Sequence, residues 1–265
     1  MKRAIQAYII MITVLTVCLL GDYTAISVFA DDSMLPECED AGEGYQNSLI
    51  FLGESTTAHL KSRGVLSGGV YTTQVWANES GTMMLSKKLS QQTILYPKTG
   101  EKLTIEQALR TERPAYIVLS FGLNGIVGFA KDPTAYQSLY QGLIDCIQAA
   151  SPCTAIILQT VYPVTAAQQE SDWHFSSSPK EINTMIKEIN ATLPILANAN
   201  TGVKVVDSAS VLKDETGQLR ACYATEDGIH LRADAYRAIL SYLRTHAYHF
   251  PMPLPITPDQ WRYAQ

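Results

Sequence analysis

Leu49-Ile50-Phe51-Leu52-Gly53-Glu54-Ser55-Thr56-Thr57 decides how the chain is read. Four consecutive apolar residues fit a strand buried on both faces, and Gly53 ends the run with a residue free to take a sharp turn. Ser55 then stands where a helix would open, beside unpaired backbone N–H groups and the positive end of the helix dipole. Two readings of that serine are open. It is a helix N-cap at an ordinary strand-to-helix connection, or it is a nucleophile delivered to the rim of a sheet.

A serine hydroxyl is a weak nucleophile near neutral pH, so the second reading needs a base within reach and donors for an oxyanion. Asp227-Gly228-Ile229-His230 offers the base, because a carboxylate three residues ahead of a histidine can turn back to the ring and hold its tautomer. Phe121-Gly122-Leu123-Asn124-Gly125 directly follows the apolar run 116–119 and offers a side-chain amide donor at a second strand end. His59, His246 and His249 lack such a carboxylate and read as ordinary surface or core histidines. His174, in Ser171-Asp172-Trp173-His174-Phe175, falls in a loop expected to overlook the same edge, but Asp172 and His174 alone do not make a metal cage.

Gly53-Glu54-Ser55, Gly122-Leu123-Asn124 and Asp227-Gly228-Ile229-His230 resemble, in order and spacing, three blocks of the SGNH (GDSL-type) hydrolases. The likeness spans residues 47–247. The remaining block of that family is a glycine after the second strand, best matched by Gly81 in Asn78-Glu79-Ser80-Gly81-Thr82, with Gly68 and Gly69 as weaker matches. The resemblance implies Ser55 as nucleophile, His230 as base and Asp227 as its orienting acid. It further implies an oxyanion hole built from the Ser55 and Gly81 N–H groups and the Asn124 side chain. No metal or organic cofactor is implied. The chain departs from the family pattern at Glu54, where Asp is common, and at Gly125, where Asp often follows the asparagine.

Outside those blocks, the first thirty residues look like a secretory signal. Lys2 and Arg3 precede the mainly apolar stretch 8–20, and Val28-Phe29-Ala30 forms a plausible cleavage point before Asp31. The stretch is short for a spanning helix, with an uncleaved anchor as the alternative. Cleavage there leaves 265 − 30 = 235 residues, enough for one α/β domain with a single core. We therefore expect an exposed lead-in over 31–46, a catalytic domain over 47–250 and a tail over 251–265. The net charge of −5 and the lack of a basic cluster after residue 30 argue against nucleic acid as a partner. By the same reasoning the chain meets a membrane only through an uncleaved N-terminal segment. Cys38, Cys146, Cys153 and Cys222 remain, either as thiols or as disulfides, of which Cys146 with Cys153 and Cys38 with Cys222 is the favoured pairing.

The rest of the chain alternates strand and helix. Strands are predicted over 70–77, 115–120, 154–160 and 203–206, a hairpin over 92–103, and helices over 82–89, from 104 to before Pro114, after Asp132-Pro133, after Ser178-Pro179 and around 235–243. This order predicts an α/β fold, a three-layer α/β/α sandwich around a mainly parallel five-stranded sheet. Ser55, Gly81 and Asn124 each follow a predicted strand, which puts them at the edge where ligands bind in such sheets. The glycines around Gly122 lack dinucleotide-binding spacing, and there is no P-loop.

The expected activity is a secreted or extracytoplasmic serine esterase acting on short acyl, chiefly O-acetyl, esters of carbohydrates. Trp76, Tyr162, Trp173 and His174 are the candidate substrate contacts, since flat aromatic faces beside polar groups suit sugar rings. Lipase or lysophospholipase activity, acyl transfer on the same residues, and a catalytically silent glycan-binding protein remain alternatives. Residues 126–130 offer at most a small acyl pocket.

Overall fold

The structure, a computed structural model, describes residues 32–172 and 174–249. The opening apolar run is strand β1 (Leu49–Gly53), buried along its whole length. It pairs in parallel with β2 (Val75–Trp76) on one side and β5 (Tyr116–Ser120) on the other. Strands β6 (Ala155–Gln159) and β7 (Val203–Val206) complete a five-stranded sheet of order β2-β1-β5-β6-β7. A parallel pair cannot be closed by a hairpin, so each step needs a crossover, and the crossovers supply the helical layers.

One sheet face, carrying Ile50, Leu52, Ile117, Leu119, Ile156 and Leu158, packs against α3 (Ile105–Glu112), α5 (Pro133–Ala150), α6 (Pro179–Asn190) and α7 (Leu193–Ala199). The opposite face, with Phe51, Val118, Ile157 and Val206, meets α2 (Ser55–Ser62) through Leu60. On that face α8 (Ala233–Thr245) contributes Tyr236, Ile239, Leu240 and Leu243. The result is the three-layer α/β/α sandwich. Helix starts follow the local chemistry. Thr104 with Gln107 and Ser178 with Glu181 form reciprocal capping boxes, and Asp132 accepts from the Ala135 N–H ahead of Pro133.

Several expectations are corrected. The second strand is two residues long rather than 70–77, because Gly68 and Gly69 both take positive φ and turn residues 69–71 into a 3₁₀ segment that exposes Val70 and Tyr71. No helix forms over 82–89. Met83 and Leu85 are buried while Met84 is exposed, an alternation that suits extended chain rather than a 3.6-residue period. The hairpin is present as β3 (Thr93–Leu95) against β4 (Lys102–Thr104), in a sheet of its own. Residues 126–130 belong to helix α4 (Ile126–Lys131), whose Ile126 and Phe129 are buried in the core rather than lining an acyl pocket.

The lead-in is exposed only in part: Pro36, Glu37, Glu39 and Asp40 face solvent, whereas Ser33, Leu35 and Gln46 are buried. Leu35 N–H donates to the Val205 carbonyl at 2.8 Å, Val205 N–H donates to the Ser33 carbonyl at 2.8 Å, and α1 (Gly42–Ser48) packs beside α8. All four cysteines described are free thiols, with Cys222 exposed, so neither expected disulfide is present. The expected signal segment, residues 1–30, and the expected tail, residues 251–265, lie outside the described residues. Within them no helix is long and apolar enough to cross a membrane.

The sheet order fixes where a site can form. The chain leaves β1 toward β2 at one edge, whereas every later strand of this sheet is added on the other side, so β1 and β5 flank the switch in strand order. The segments leaving those two strands carry Ser55 and Asn124.

Candidate active site

Helix α2 begins at the end of β1 because Gly53 lets it. A Cβ there would fall 2.2 Å from Thr57 Oγ1 and 2.4 Å from the Ser120 carbonyl, so no side chain fits between helix and neighbouring strand. Thr57 and Ala58 N–H groups donate back to the Glu54 carbonyl, which leaves the Ser55 amide as one of the helix's free N-terminal donors. Across the helix, the Tyr236 hydroxyl donates to the Thr56 carbonyl at 2.6 Å and pins α2 to α8.

His230 arrives on a hairpin closed by an antiparallel bridge between Ala224 and Leu231. Thr225 N–H donates to the His230 carbonyl at 2.8 Å, and Gly228, at φ +70°, makes the turn. Any Cβ on Gly228 would lie 2.4 Å from the Gln168 backbone nitrogen. Asp227 curls back over this turn. Its Oδ1 accepts from the Ile229 N–H, the His230 N–H and the Thr225 hydroxyl, and its Oδ2 lies 2.6 Å from His230 Nδ1. Burial opposes the Asp227 charge, but the hydrogen bonds from His230, Ile229 and Thr225 outweigh it and hold the carboxyl well below the usual range. With Nδ1 facing a carboxylate, the proton belongs on that nitrogen, and Nε2 is left as an acceptor. Ser55 Oγ lies 2.9 Å from that Nε2. A proton can therefore pass from the hydroxyl to the ring while the carboxylate balances the charge that forms.

The Gly122–Asn124 loop is organised by Glu54. Its buried carboxylate accepts from the N–H groups of Gly122, Leu123 and Asn124 at 2.9–3.1 Å. Burial outweighs the opposing pull of those three N–H groups and leaves this carboxyl raised to about 8. Four N–H contacts call for acceptor oxygens, so the geometry serves the ionised form. Held this way, Asn124 donates one Nδ2 hydrogen to the Met83 carbonyl at 3.3 Å, and the amide has a second hydrogen to offer.

Gly81 does not present a free donor. Its N–H is given to the Asn78 carbonyl at 3.0 Å in a turn where Gly81 takes φ +66°. It does sit against α2, since a Cβ at Gly81 would meet Ala58 Cβ at 3.7 Å. The aromatic contacts expected for sugar rings are also corrected. Trp76 and Tyr162 are buried, at 1% and 6% exposure, and Trp76 packs edge-on to Tyr96 within the core. Trp173 lies outside the described residues. His174 is exposed and its Nδ1 lies 3.2 Å from the Ser171 carbonyl. Among the described residues no group of three or more His, Cys, Asp or Glu could hold a metal ion.

Two contributors are not flagged by motif spacing. Glu54 braces the Asn124 loop, a function hidden because its partners are backbone amides nearly seventy residues away. His59 places its ring against His230, with centroids 4.5 Å apart. Its signal in the sequence is the four-residue step from Ser55, which puts both on one side of α2.

Residues 51–238 match the model of the GDSL-like Lipase/Acylhydrolase family. No curated protein matches the chain. Among solved structures, a Streptococcus pneumonia protein provisionally described as a platelet activating factor is 20% identical, covering 89% of this chain and 99% of its own, with a TM-score of 0.49. A Desulfitobacterium hafniense DCB-2 protein, provisionally described as lipolytic and of the G-D-S-L family, is 14% identical over 75% of this chain and 98% of its own, with a TM-score of 0.48. A Clostridium thermocellum family 3 carbohydrate esterase is 17% identical over 75% of this chain and 93% of its own, with a TM-score of 0.46. Likenesses at this level say nothing about substrate.

Proposed function

The chain belongs to the GDSL-like lipase/acylhydrolase family, and from that membership we propose that it is a serine esterase working through an acyl-enzyme. The observation that carries the reading is the continuous hydrogen-bond chain Ser55–His230–Asp227, at 2.9 and 2.6 Å. Ser55 attacks the ester carbonyl as His230 takes its proton, and the oxyanion is held by the Ser55 N–H and the Asn124 side chain. His230 then returns the proton to the departing alcohol. Water activated by the same ring releases the acid.

We propose further that the protein is exported and that its substrates are short acyl esters, chiefly O-acetyl groups, on carbohydrates. Support for the substrate comes from two surface cavities, the second of which has Asp227 in its wall. One of about 540 Å³ beside the Gly81 turn is lined by Asn78, Ser80, Gln91, Gln92 and Thr93 together with the apolar Ile94 and Leu95, and its charged residues Glu79 and Lys102 pair with each other at 3.0 Å. A second, of about 520 Å³, is lined by Arg63, Thr225, Glu226, Asp227 and Arg232. Walls rich in hydroxyl, amide and charged groups suit a polyol, whereas a long acyl chain needs a continuous apolar groove.

Labelling with a fluorophosphonate probe tests the nucleophile, with modification expected at Ser55. Chain-length comparison of p-nitrophenyl esters, beside acetate release from acetylated polysaccharides, tests the substrate. Preference for chains of eight or more carbons with no acetate released would move the reading to a lipase. N-terminal sequencing of the secreted protein, expected to begin near Asp31, tests export.

A further inference from the structure

Helix α2 touches the base hairpin at three points along one side. Ser55 meets His230 Nε2, the His59 ring packs on the His230 ring, and Arg63, capping the helix, donates from Nε to the Leu231 carbonyl at 3.2 Å. These residues are four apart, the spacing that stacks side chains on one helix face. Nucleophile and base are thus registered by one rigid element rather than by the serine alone.

His59 occupies the middle of this row. The two imidazole planes are inclined at 43° with centroids 4.5 Å apart, so one face of the base is covered by a second ring. The edges of His230 are taken by Asp227 and Ser55. Covering a face as well removes the remaining freedom of the ring to tip. The His59 Nδ1 is buried without a hydrogen-bond partner among the described residues. An apolar side chain of similar size would avoid that cost, so packing alone is a poor account of the residue. Burial, together with the charges of His230 and Arg63, holds His59 below its ordinary pKa against the opposing pull of Asp227. When His230 becomes imidazolium, the ring above it is neutral and presents a π-face instead of a second positive charge.

We propose that His59 is a positioning residue for His230: its neutral ring fixes the plane of the base and accommodates the imidazolium formed during turnover. The inference rests on the esterase reading above, since it assigns His230 as the base. Arg63 supports the same registration from the far end of the hairpin.

The test compares His59→Ala, His59→Phe and His59→Lys in the full chain with p-nitrophenyl acetate, with thermal unfolding as the check on folding. His59→Ala should lose up to about 10²-fold in kcat with KM little changed, because the loss is of alignment rather than of substrate contact. His59→Phe restores a face and should recover most of that loss. His59→Lys should be the poorest, because it places a cation beside the imidazolium. A residue that merely filled space would instead rank by volume, with Phe and Lys alike and Ala worst. That order, or unchanged kcat in His59→Ala, would overturn the proposal while leaving the esterase reading intact. If the unsubstituted protein neither turns over nor labels, the esterase reading falls separately. In that case the downfield Nδ1 proton of His230, followed by NMR, still reads positioning. It should broaden or shift in folded His59→Ala and return in His59→Phe, and an unmoved resonance in His59→Ala would refute the role.

Discussion

The backbone N–H of Asn124 lies 3.1 Å from both carboxylate oxygens of Glu54, which joins the residue before the proposed nucleophile to the residue proposed as an oxyanion donor. Replacing Glu54 by Gln puts an amide nitrogen where N–H groups point, leaving at least one buried donor unpaired. Glu54→Gln should lose about 1–3 kcal/mol of stability. It should also lower kcat, as Asn124 drifts. Urea unfolding and steady-state kinetics measure the two effects, and a variant as stable and active as the parent would show the contact to be idle.

Ser55→Ala and His230→Ala should each abolish ester turnover without changing thermal unfolding, since the first removes the attacking oxygen and the second its base. Asn124→Ala should keep residual activity, falling by about 10²–10³ in kcat for the loss of one oxyanion donor. Near-parental turnover in Asn124→Ala would mean that its amide does not face the reacting carbonyl.

Asp227→Asn should cost up to about 10⁴ in kcat, because an amide at Oδ2 favours the wrong imidazole tautomer. The same residue gives a signed pH dependence. Its folded pKa is depressed, so its contribution to stability is present above the ordinary value of 3.8 and is lost as pH falls below that value toward the folded pKa. Acid unfolding of Asp227→Asn should therefore show a shallower fall in stability below about pH 4 than the parent. An identical acid limb in the two proteins would contradict the assignment.

Gly53→Ala should fold poorly, since its Cβ would lie 2.4 Å from a backbone carbonyl that cannot retreat without parting β1 from β5. The expected loss is about 1–3 kcal/mol, the usual range for overpacking. Proteolysis at 37 °C would report it.

Trp76→Ala should be a stability variant, losing about 3–5 kcal/mol as a large buried ring is removed. Trp76→Phe, which keeps most of the packing, should leave KM for an acetylated glycan unchanged. A selective rise in KM for the glycan in the Phe variant would restore Trp76 as a substrate contact.

Much of this architecture is legible in the chain because it rests on local rules. The Thr104 and Ser178 caps, the Asp132-Pro133 start and the all-apolar β1 each follow from side chains a few residues apart. The stretch 82–89 misleads because Met84, Leu85 and Leu89 suggest one helical face, while tertiary packing instead buries Met83 and Leu85 from an extended segment. Trp76 and Tyr162 mislead for a related reason. An aromatic residue at a strand end is equally able to face solvent or plug the core, and only the packing around it decides. The family blocks single out Ser55, Asp227 and His230, whose side chains the structure brings within hydrogen-bond reach of one another, but do not reveal that the Gly81 N–H is taken by the turn at Asn78. Glu54 works through contacts nearly seventy residues away that no local pattern encodes, and the four-residue step from Ser55 to His59 does not reveal that His230 lies against it.

The hydrogen bond between Ser55 and His230 closes a loop of 175 residues. Its partners lie near opposite ends of the described chain, and the intervening strands and helices must be in place before they meet. Loop closure on this scale comes late, since the entropy of joining distant segments is lost before the contact returns anything. Reactivity at Ser55 is therefore a reporter of folding as well as of chemistry. During refolding, fluorophosphonate uptake should lag behind the recovery of helical signal, timing the moment at which the two ends of the molecule come together.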